Sequence, residues 1–136
     1  MNRDYEELIM ATEFTVLLED RPGVLAGVTE ALAKNAVNIV AIHATPCPTT
    51  GIMQFITNSP DATIEALRDA ALDYSVQEVL VVALAHEPGS LARLARALGD
   101  EGVNINAIYM TIEGQTVLDV DDLRKAQQIV LNLGLR

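Results

Sequence analysis

The chain has 136 residues with a formal net charge of −10, and 50% of its residues are hydrophobic. This length suffices for one ordinary domain or two very small ones, and the apolar fraction is typical of a folded globular protein. The acidic balance and the absence of a Lys/Arg run argue against a nucleic-acid or acidic-membrane partner, and the single Cys excludes a disulfide framework or a multi-Cys metal site.

The first half opens with a strand followed by a helix. Phe14–Glu19 is short, apolar and rich in β-branched residues, which predicts a buried strand. Asp20–Gly23 breaks this strand, and Pro22 suits the first turn of a helix that Asn35 or Asn38 ends. The apolar residues of that helix recur at helical spacing: Val24, Leu25, Val28, Leu32 and Ala36.

Two more strands and a second helix follow. Ile39–Ala44 and Ile52–Thr57 are predicted strands, and a Pro- and Gly-containing turn over residues 46–51 separates them. The sequence Ser-Pro-Asp at 59–61 opens a helix that runs to about Leu72. Its inward positions are predicted to be Ile64, Leu67, Ala71 and Leu72.

The chain then repeats itself. When residues 20–44 are set over residues 86–110 without a gap, 11 of 25 positions are identical. The matches include the Pro-Gly pairs at 22–23 and 88–89, which require particular backbone geometry that a shared amphipathic pattern does not explain. The second half therefore repeats the predicted elements as a strand (80–85), a helix (88–101), two strands (105–111 and 116–120) and a helix (121–132).

The repeated order is strand–helix–strand–strand–helix–strand, the ferredoxin-like arrangement of an α+β fold. In the first copy Tyr74–Val79 is the fourth strand and runs straight into Leu80–Ala85, whereas the second copy stops where its fourth strand is due. We expect Leu8–Glu13 to lie antiparallel beside Leu80–Ala85 in its place, so that two long strands serve both halves. The alternative is a frayed N-terminal tail and a truncated second sheet.

Two motifs carry a resemblance to a known family. DRPGVL and AVNIVAI in the first copy, and HEPGSL and GVNINAI in the second, lie at the strand–helix loop and at the start of the second strand. In this order they resemble the ACT domain family of small-molecule-binding modules, and most of all stand-alone tandem ACT proteins without a catalytic domain. The resemblance covers about residues 14–136. It implies two tandem ferredoxin-like (βαββαβ) ACT units with antiparallel sheets, at 1–79 and 80–136. The missing C-terminal strand of the second copy departs from the family's pattern.

The resemblance also implies a function. ACT domains commonly bind amino acids between paired units, so the chain is expected to be a non-catalytic regulatory protein that signals to a partner enzyme or transporter, with no cofactor or metal. The alternative is an interaction subunit that binds no ligand and assembles a metabolic complex. The resemblance assigns the following residues to the ligand site: Asp20, Arg21, Pro22, Gly23, Asn38, Ile39, His86, Glu87, Pro88, Gly89, Asn104 and Ile105.

The chemistry of these residues also suits an amino acid. Each Pro-Gly pair opens a helix whose first N–H groups lack intrahelical partners, and a helix N-terminus favours a carboxylate. Asn38 and Asn104 offer both a donor and an acceptor, although the alternative is that each only caps or turns the chain. Asp20 and His86 occupy equivalent positions but differ in charge, which predicts two non-identical sites; the alternative is that both are ordinary surface residues.

Few residues offer catalytic or metal-binding chemistry. His43, Cys47 and His86 are the strongest candidates beside the carboxylates, and a Cys-His pair needs contact and an orienting partner. The turn that carries Cys47 lies near His43 in the sequence, and we interpret this proximity as coincidence. No ligand spacing suggests a metal and no Gly-rich phosphate loop is present, so an enzyme remains a minor hypothesis.

Alternation along the second strand of each copy predicts an apolar face without helices. The helices of each unit cover only one face of its sheet, so the other face is expected to meet another subunit in a homodimer or a larger even assembly. Ile39, Ala41 and His43 would share one face with their counterparts in the second copy. The residues assigned to the opposite, subunit-facing side are Val40, Ile42, Ala44, Asn106, Ile108 and Met110.

The sequence also bears on location. The longest apolar stretch, Val79–Ala85, is too short to span a bilayer. The N-terminal sequence MNRDYEEL carries acidic residues and lacks the apolar core of a secretory signal. A soluble cytoplasmic protein is therefore the expectation.

Overall fold

The computed structural model of the chain describes residues 10–46 and 50–135. Within them the fold is a mixed α+β structure with a six-stranded antiparallel sheet and four helices. The strands are β1 (Met10–Glu19), β2 (Ile39–Pro46), β3 (Thr50–Thr57), β4 (Ser75–Val82), β5 (Ile105–Met110) and β6 (Thr116–Val120). The helices are α1 (Val24–Lys34), α2 (Pro60–Asp69), α3 (Ser90–Asp100) and α4 (Leu123–Asn132). Leu8 and Ile9 of the predicted N-terminal strand extension, and Cys47 and Pro48 of the predicted turn, lie outside the described residues.

The first of two units comprises residues 12–77. Its strands pair antiparallel in the order β2-β3-β1, with Phe14 opposite Phe55 and Val16 opposite Met53. The apolar stripes of α1 and α2 pack against the side of the strands that carries Phe14, Val16, Met53 and Phe55, because each helix repeats its apolar positions at helical spacing. The buried core consists of Phe14, Val16, Val28, Leu32, Val37, Met53, Phe55, Ala66 and Leu67.

The second unit comprises residues 78–135 together with Met10 and Ala11. Its pairing order is β4-β6-β5, with Leu80 and Ile108 both opposite Leu118 of β6. Met10 packs against the core of this unit, so β1 contributes residues to both units, as β4 does. The buried core consists of Leu80, Val82, Leu94, Leu98, Val103, Leu118, Ala126 and Val130.

All four described helices end through a residue in the left-handed region. After α1, Ala36 has φ 58° and the Val37 N–H donates to the Leu32 carbonyl at 3.0 Å, which satisfies a carbonyl of the last turn. The same geometry recurs at Ala71, Gly102 and Gly134. This turn returns the chain towards the core, so that the residue after it packs inward.

Some of the positions predicted to face inward on α1 and α2 are instead exposed. Ala36 and Ala71 were expected to face inward, and both are exposed, because each lies past the end of its helix in the reversing turn. Leu72 does pack against the core of the first unit, since the turn brings it back. Leu25, on the first turn of α1, is 45% exposed rather than buried.

The predicted alternation along β2 and β5 is wrong, because each strand contains a bulge. Register shifts lie between Ile39 and Ala41 and between Ile105 and Ala107. A bulge inserts one extra residue and reverses the facing of everything beyond it. Four of the residues assigned to the helix-free side therefore lie on the helix-bearing side. Ile42 lies opposite Phe55 and Ala44 opposite Met53 in the first copy. Ile108 lies opposite Leu118 and Met110 opposite Thr116 in the second. Val40 and Asn106 lie at the bulges.

Much of the helix-free side of the strands is buried rather than exposed as expected, although Leu17 is exposed there. Ala41, Val79 and Val117 point to that side, and each is buried within the chain itself. The exposed large apolar residues of β2 and β5 are instead Ile42, Ile108 and Met110, which lie on the helix-bearing side. None of the described helices is long and apolar enough to cross a membrane.

Candidate functional site

The Pro-Gly loop of the first unit follows β1 directly. The Arg21 N–H donates to the Glu19 carbonyl at 3.0 Å, and the Val24 N–H donates to the Arg21 carbonyl at 3.5 Å. Gly23 precedes α1 with φ 90°, a left-handed conformation that glycine adopts without a steric penalty. No side chain caps α1, so the first turn of the helix offers its N–H groups at the loop.

A charged pair stands at the entrance to this loop. The Arg21 Nε donates to Glu19 Oε2 at 2.6 Å, and both side chains are largely exposed. This hydrogen bond, and then the charge of the guanidinium, hold the pKa of Glu19 below its ordinary value. The loop therefore presents the two carboxylates of Glu19 and Asp20 beside one guanidinium.

The loop closes one side of a cleft of about 220 Å³. The lining also includes the described ends of β2 and β3, the first turn of α1 and the end of β1. The lining residues are Leu18, Glu19, Asp20, Arg21, Val24, Leu25, Ala44, Thr45, Pro46, Gly51 and Ile52. Apolar walls and charged loop residues thus meet in one depression.

The second Pro-Gly loop repeats the backbone geometry of the first. The Glu87 N–H donates to the Ala85 carbonyl at 2.9 Å, and the Ser90 N–H donates to the Glu87 carbonyl at 3.3 Å. Gly89 precedes α3 with φ 92°, and again no side chain caps the helix. The loop predicted from the internal repeat is therefore built twice.

The cleft beside the second loop has different surroundings. It measures about 320 Å³ and lies between the loop, α3 and the C-terminal segment rather than at a hairpin. The charged residues of its lining are Glu87 and Arg93. The remaining lining residues are Leu84, Ala85, Pro88, Gly89, Ser90, Leu94, Leu133 and Leu135.

Asn38 and Asn104 take up equivalent structural positions before β2 and β5. The Asn38 N–H donates to Asn58 Oδ1 at 2.9 Å, and the Asn58 N–H donates back to the Asn38 carbonyl at 3.0 Å. Asn104 forms the same double hydrogen bond with Asp121. These bonds fix each strand start to the residue before the next helix cap, and they use the backbone of the two asparagines.

The structure therefore brings together some of the predicted site residues and not others. Asp20 and Arg21 line the first cleft, and Glu87, Pro88 and Gly89 line the second. Neither asparagine lines either cleft, and the ligand role of Asn38 and Asn104 stays a prediction. Five further residues of the predicted site also lie outside both linings: Pro22, Gly23, Ile39, His86 and Ile105.

His86 is placed differently from its counterpart Asp20. Its imidazole lies over Gly114 in the β5–β6 turn, so close that a Cβ on Gly114 would come within 2.9 Å of Nε2. Asp20 instead lines the open cleft of the first unit. Equivalent positions in the repeat thus have different environments.

The sequence did not predict the residues that line the two clefts from parts of the chain far from the Pro-Gly loops. The hairpin residues Thr45 and Gly51, and the C-terminal Leu133 and Leu135, carry no motif. A glycine in each hairpin, at 51 near the start of β3 and at 114 in the β5–β6 turn, could have pointed to the hairpin. Of the catalytic candidates, Cys47 lies outside the described residues. Within the described ranges no three His, Cys, Asp or Glu side chains group closely enough to hold a metal ion.

Comparison with known protein families shows which family this chain belongs to. The model of the ACT domain pair matches residues 9–136. The chain belongs to the ACT domain pair family. The two repeated loop-and-helix units are therefore the two ACT copies of this pair. A comparison with curated proteins finds no match.

Solved structures share this ACT fold. A protein from Bacteroides thetaiotaomicron is 27% identical with a TM-score of 0.84, over 93% of this chain and 90% of that one. The ligand-free regulatory subunit of aspartate kinase from Thermus thermophilus is 24% identical with a TM-score of 0.64, over 92% of both chains. Aspartate kinase from Synechocystis is 22% identical with a TM-score of 0.64, over 93% of this chain and 25% of that one. The last two likenesses show a shared fold.

Proposed function

We propose that this ACT pair is a non-catalytic regulatory protein that binds an amino acid at its first Pro-Gly loop and signals to a partner enzyme or transporter. The observation that carries the proposal is the first cleft, where carboxylates, a guanidinium and an uncapped helix N-terminus line one depression. The similarity of the fold to the regulatory subunit of an aspartate kinase supports a regulatory output.

The cleft offers complementary partners to each end of a zwitterion. Asp20 accepts from an α-ammonium group, while Arg21 and the first N–H groups of α1 donate to an α-carboxylate. Leu18, Val24 and Ile52 provide apolar surface for a side chain. Hydrogen bonds to charged groups contribute about 1.5–3 kcal/mol each, so a few of them give the modest affinity suited to sensing a metabolite pool.

The assembly role remains the second candidate, and one repeated feature favours it. Leu25 and Ile42 are 45% and 41% exposed, and their counterparts Leu91 and Ile108 are 45% and 44% exposed. Both ACT copies thus present an exposed Leu on the first helix and an exposed Ile on the neighbouring strand. We propose that these residues meet in a homodimer or a larger even assembly, whether or not a ligand binds.

The arrangement of the ACT copies is also part of the proposal. Each copy would have the ferredoxin-like order βαββαβ, with functional domains at 1–79 and 80–136. The second copy would use the start of β1 in place of a C-terminal strand. The packing of Met10 against the second core, and the turn that follows α4 at Gly134, support this arrangement.

A thermal-shift screen against the common amino acids, followed by calorimetry, tests the binding function. A ligand at about 100 times its dissociation constant stabilises the folded state by about 2.7 kcal/mol, which raises the unfolding midpoint by several degrees. Asp20→Asn and Arg21→Ala should each remove most of this shift, whereas the matched control Arg68→Ala, an exposed arginine at the end of α2, should retain it. If no amino acid shifts the wild-type protein, the assembly role is favoured instead.

A further inference from the structure

We infer that His86 closes the hairpin side of the second Pro-Gly loop, which leaves one amino acid site per chain, at the first loop. This inference rests on the proposed function and specifies which of the two repeated loops carries it. It also names His86 as the residue that makes the two ACT copies different.

Two pairs of positions correspond between the two ACT copies. Asp20 and His86 are equivalent in the repeat. Each directly precedes the residue, Arg21 or Glu87, whose N–H donates to the carbonyl two residues earlier. Gly51 and Gly114 correspond in register, since Gly51 lies two residues before Met53, the partner of Ala44, and Gly114 two residues before Thr116, the partner of Met110. Gly51 is a paired residue of β3, whereas Gly114 lies in the β5–β6 turn. The loop and the hairpin end are therefore the same two walls in both copies.

Among residues 10–46 and 50–135, none fills the space between these walls in the first copy. A Cβ on Gly51 would meet only backbone oxygens of Thr45 and Leu18, at 3.6 and 3.7 Å, and the Leu18 Cβ at 4.0 Å. No atom of Asp20 is among these neighbours of Gly51, although both residues line the cleft. A short carboxylate at position 20 thus borders the cleft without filling it.

The same space is occupied in the second copy. A Cβ on Gly114 would lie 2.9 Å from His86 Nε2 and 3.3 Å from Cε1, so the ring rests directly on the glycine. Glycine permits this contact because it has no side chain, and its φ of 83° suits no other residue well. The long, planar imidazole reaches the hairpin where the shorter Asp20 does not.

The linings of the two clefts agree with this closure. Five residues of the hairpin, at 44–46 and 51–52, line the first cleft. None of their counterparts, at 110–112 and 114–115, lines the second, which opens towards Leu133 and Leu135 instead. The second loop has Glu87 where the first has Arg21, and the guanidinium in the second lining comes instead from Arg93 on α3. The contact of His86 with the hairpin therefore directs an amino acid to the first loop.

A ligand-free measurement tests the closure itself. In the NMR spectrum of the isotope-labelled chain, the imidazole Hε1 of His86 should show a nuclear Overhauser contact to the Gly114 Hα protons. His43→Ala identifies the His86 resonances, since the chain has two histidines. Absence of this contact in the folded protein would overturn the inference, whatever the ligand.

Calorimetry with the amino acid that gives the largest thermal shift tests the consequence. The wild type should bind one molecule per chain, and Arg21→Ala should abolish binding. Glu87→Arg alone should still bind one, because His86 keeps the second loop closed. The double variant His86→Asp/Glu87→Arg reproduces the Asp-Arg-Pro-Gly sequence of the first loop and should bind two.

The outcomes separate this inference from the proposed function. Two molecules per wild-type chain, or binding that survives Arg21→Ala, would leave the ligand-binding function standing and overturn the single-site inference. A second site in Glu87→Arg alone would show that His86 closes nothing. If no amino acid binds the wild type, the proposed function fails, and the contact between His86 and Gly114 alone decides whether the second loop is closed.

Discussion

At the scale of single residues, the Glu19–Arg21 pair couples the candidate site to pH. The hydrogen bond from Arg21 lowers the pKa of Glu19 in the folded state, so the pair stabilises the fold above the ordinary pKa and this contribution disappears as the pH falls through the lowered value. Because both side chains are exposed, the effect on stability is small. Arg21→Ala should raise the pKa of Glu19, measured by following its carboxyl carbon in an NMR titration. Arg68→Ala should leave that titration unchanged, and an unaltered pKa in Arg21→Ala would contradict the pairing.

Two alanines in left-handed conformations carry a second residue-scale prediction. Ala36 has φ 58°, a region in which a Cβ is sterically unfavourable, and its side chain is exposed. Ala36→Gly should therefore increase the free energy of unfolding by about 0.5–1 kcal/mol, measured by urea denaturation. The matched control Ala33→Gly, one turn earlier and within α1, should lower it by up to about 1 kcal/mol. A loss of stability in Ala36→Gly would contradict the assigned helix end.

At the scale of elements, the bulges in β2 and β5 decide which apolar surface is available for assembly. Ile108 lies on β5, which pairs only with β6 among the described strands, and it is 44% exposed. If several chains assemble through these strands, the double variant Ile42→Lys/Ile108→Lys should dissociate the assembly, as measured by light scattering, without loss of helix content. Leu17→Lys is the matched control, since Leu17 is 66% exposed but lies opposite Ile52 on the helix-free side. A wild-type protein that is monomeric at high micromolar concentration would contradict the proposed assembly.

At the scale of the whole molecule, β1 is the element that both units need. Met10 packs against the second core, while Glu13 is fully buried in the first unit and accepts a hydrogen bond from Gln77 Nε2 at 2.7 Å. A buried carboxylate is tolerated only with such donors. Deleting residues 1–13 should therefore destabilise or aggregate the protein. Amide exchange provides the measurement, since Met10–Glu13 should be protected to a degree comparable with Val16–Leu18.

A point variant separates the role of Met10 from general damage to the chain. Met10→Ala removes part of a half-buried side chain and should lower the free energy of unfolding by about 1 kcal/mol. Leu17→Ala, on the same strand but exposed, should change it by less than about 0.5 kcal/mol. Rapid exchange at the start of β1, together with a stable deletion variant, would show that the segment is dispensable.

Local signals in the sequence were enough to predict most elements and the candidate loops. The strand Thr116–Val120 has the predicted bounds, and the Pro-Gly pairs at 22–23 and 88–89 do open helices, because turn-forming residues and apolar periodicity act over a few neighbouring positions. The duplication was also visible, since two copies of one backbone geometry require similar residues at the same spacing.

The tertiary structure alone decided the properties that depend on distant residues. The extra residue at each bulge has no local marker, and it moved Ile42 and Ile108 to the helix-bearing side. Likewise, nothing near His86 in the sequence indicates that its ring meets Gly114, because that contact depends on how the β5–β6 hairpin returns to the loop. Which residues alternate along a chain is a local property, whereas which surfaces meet is set by the register and packing of the folded strands.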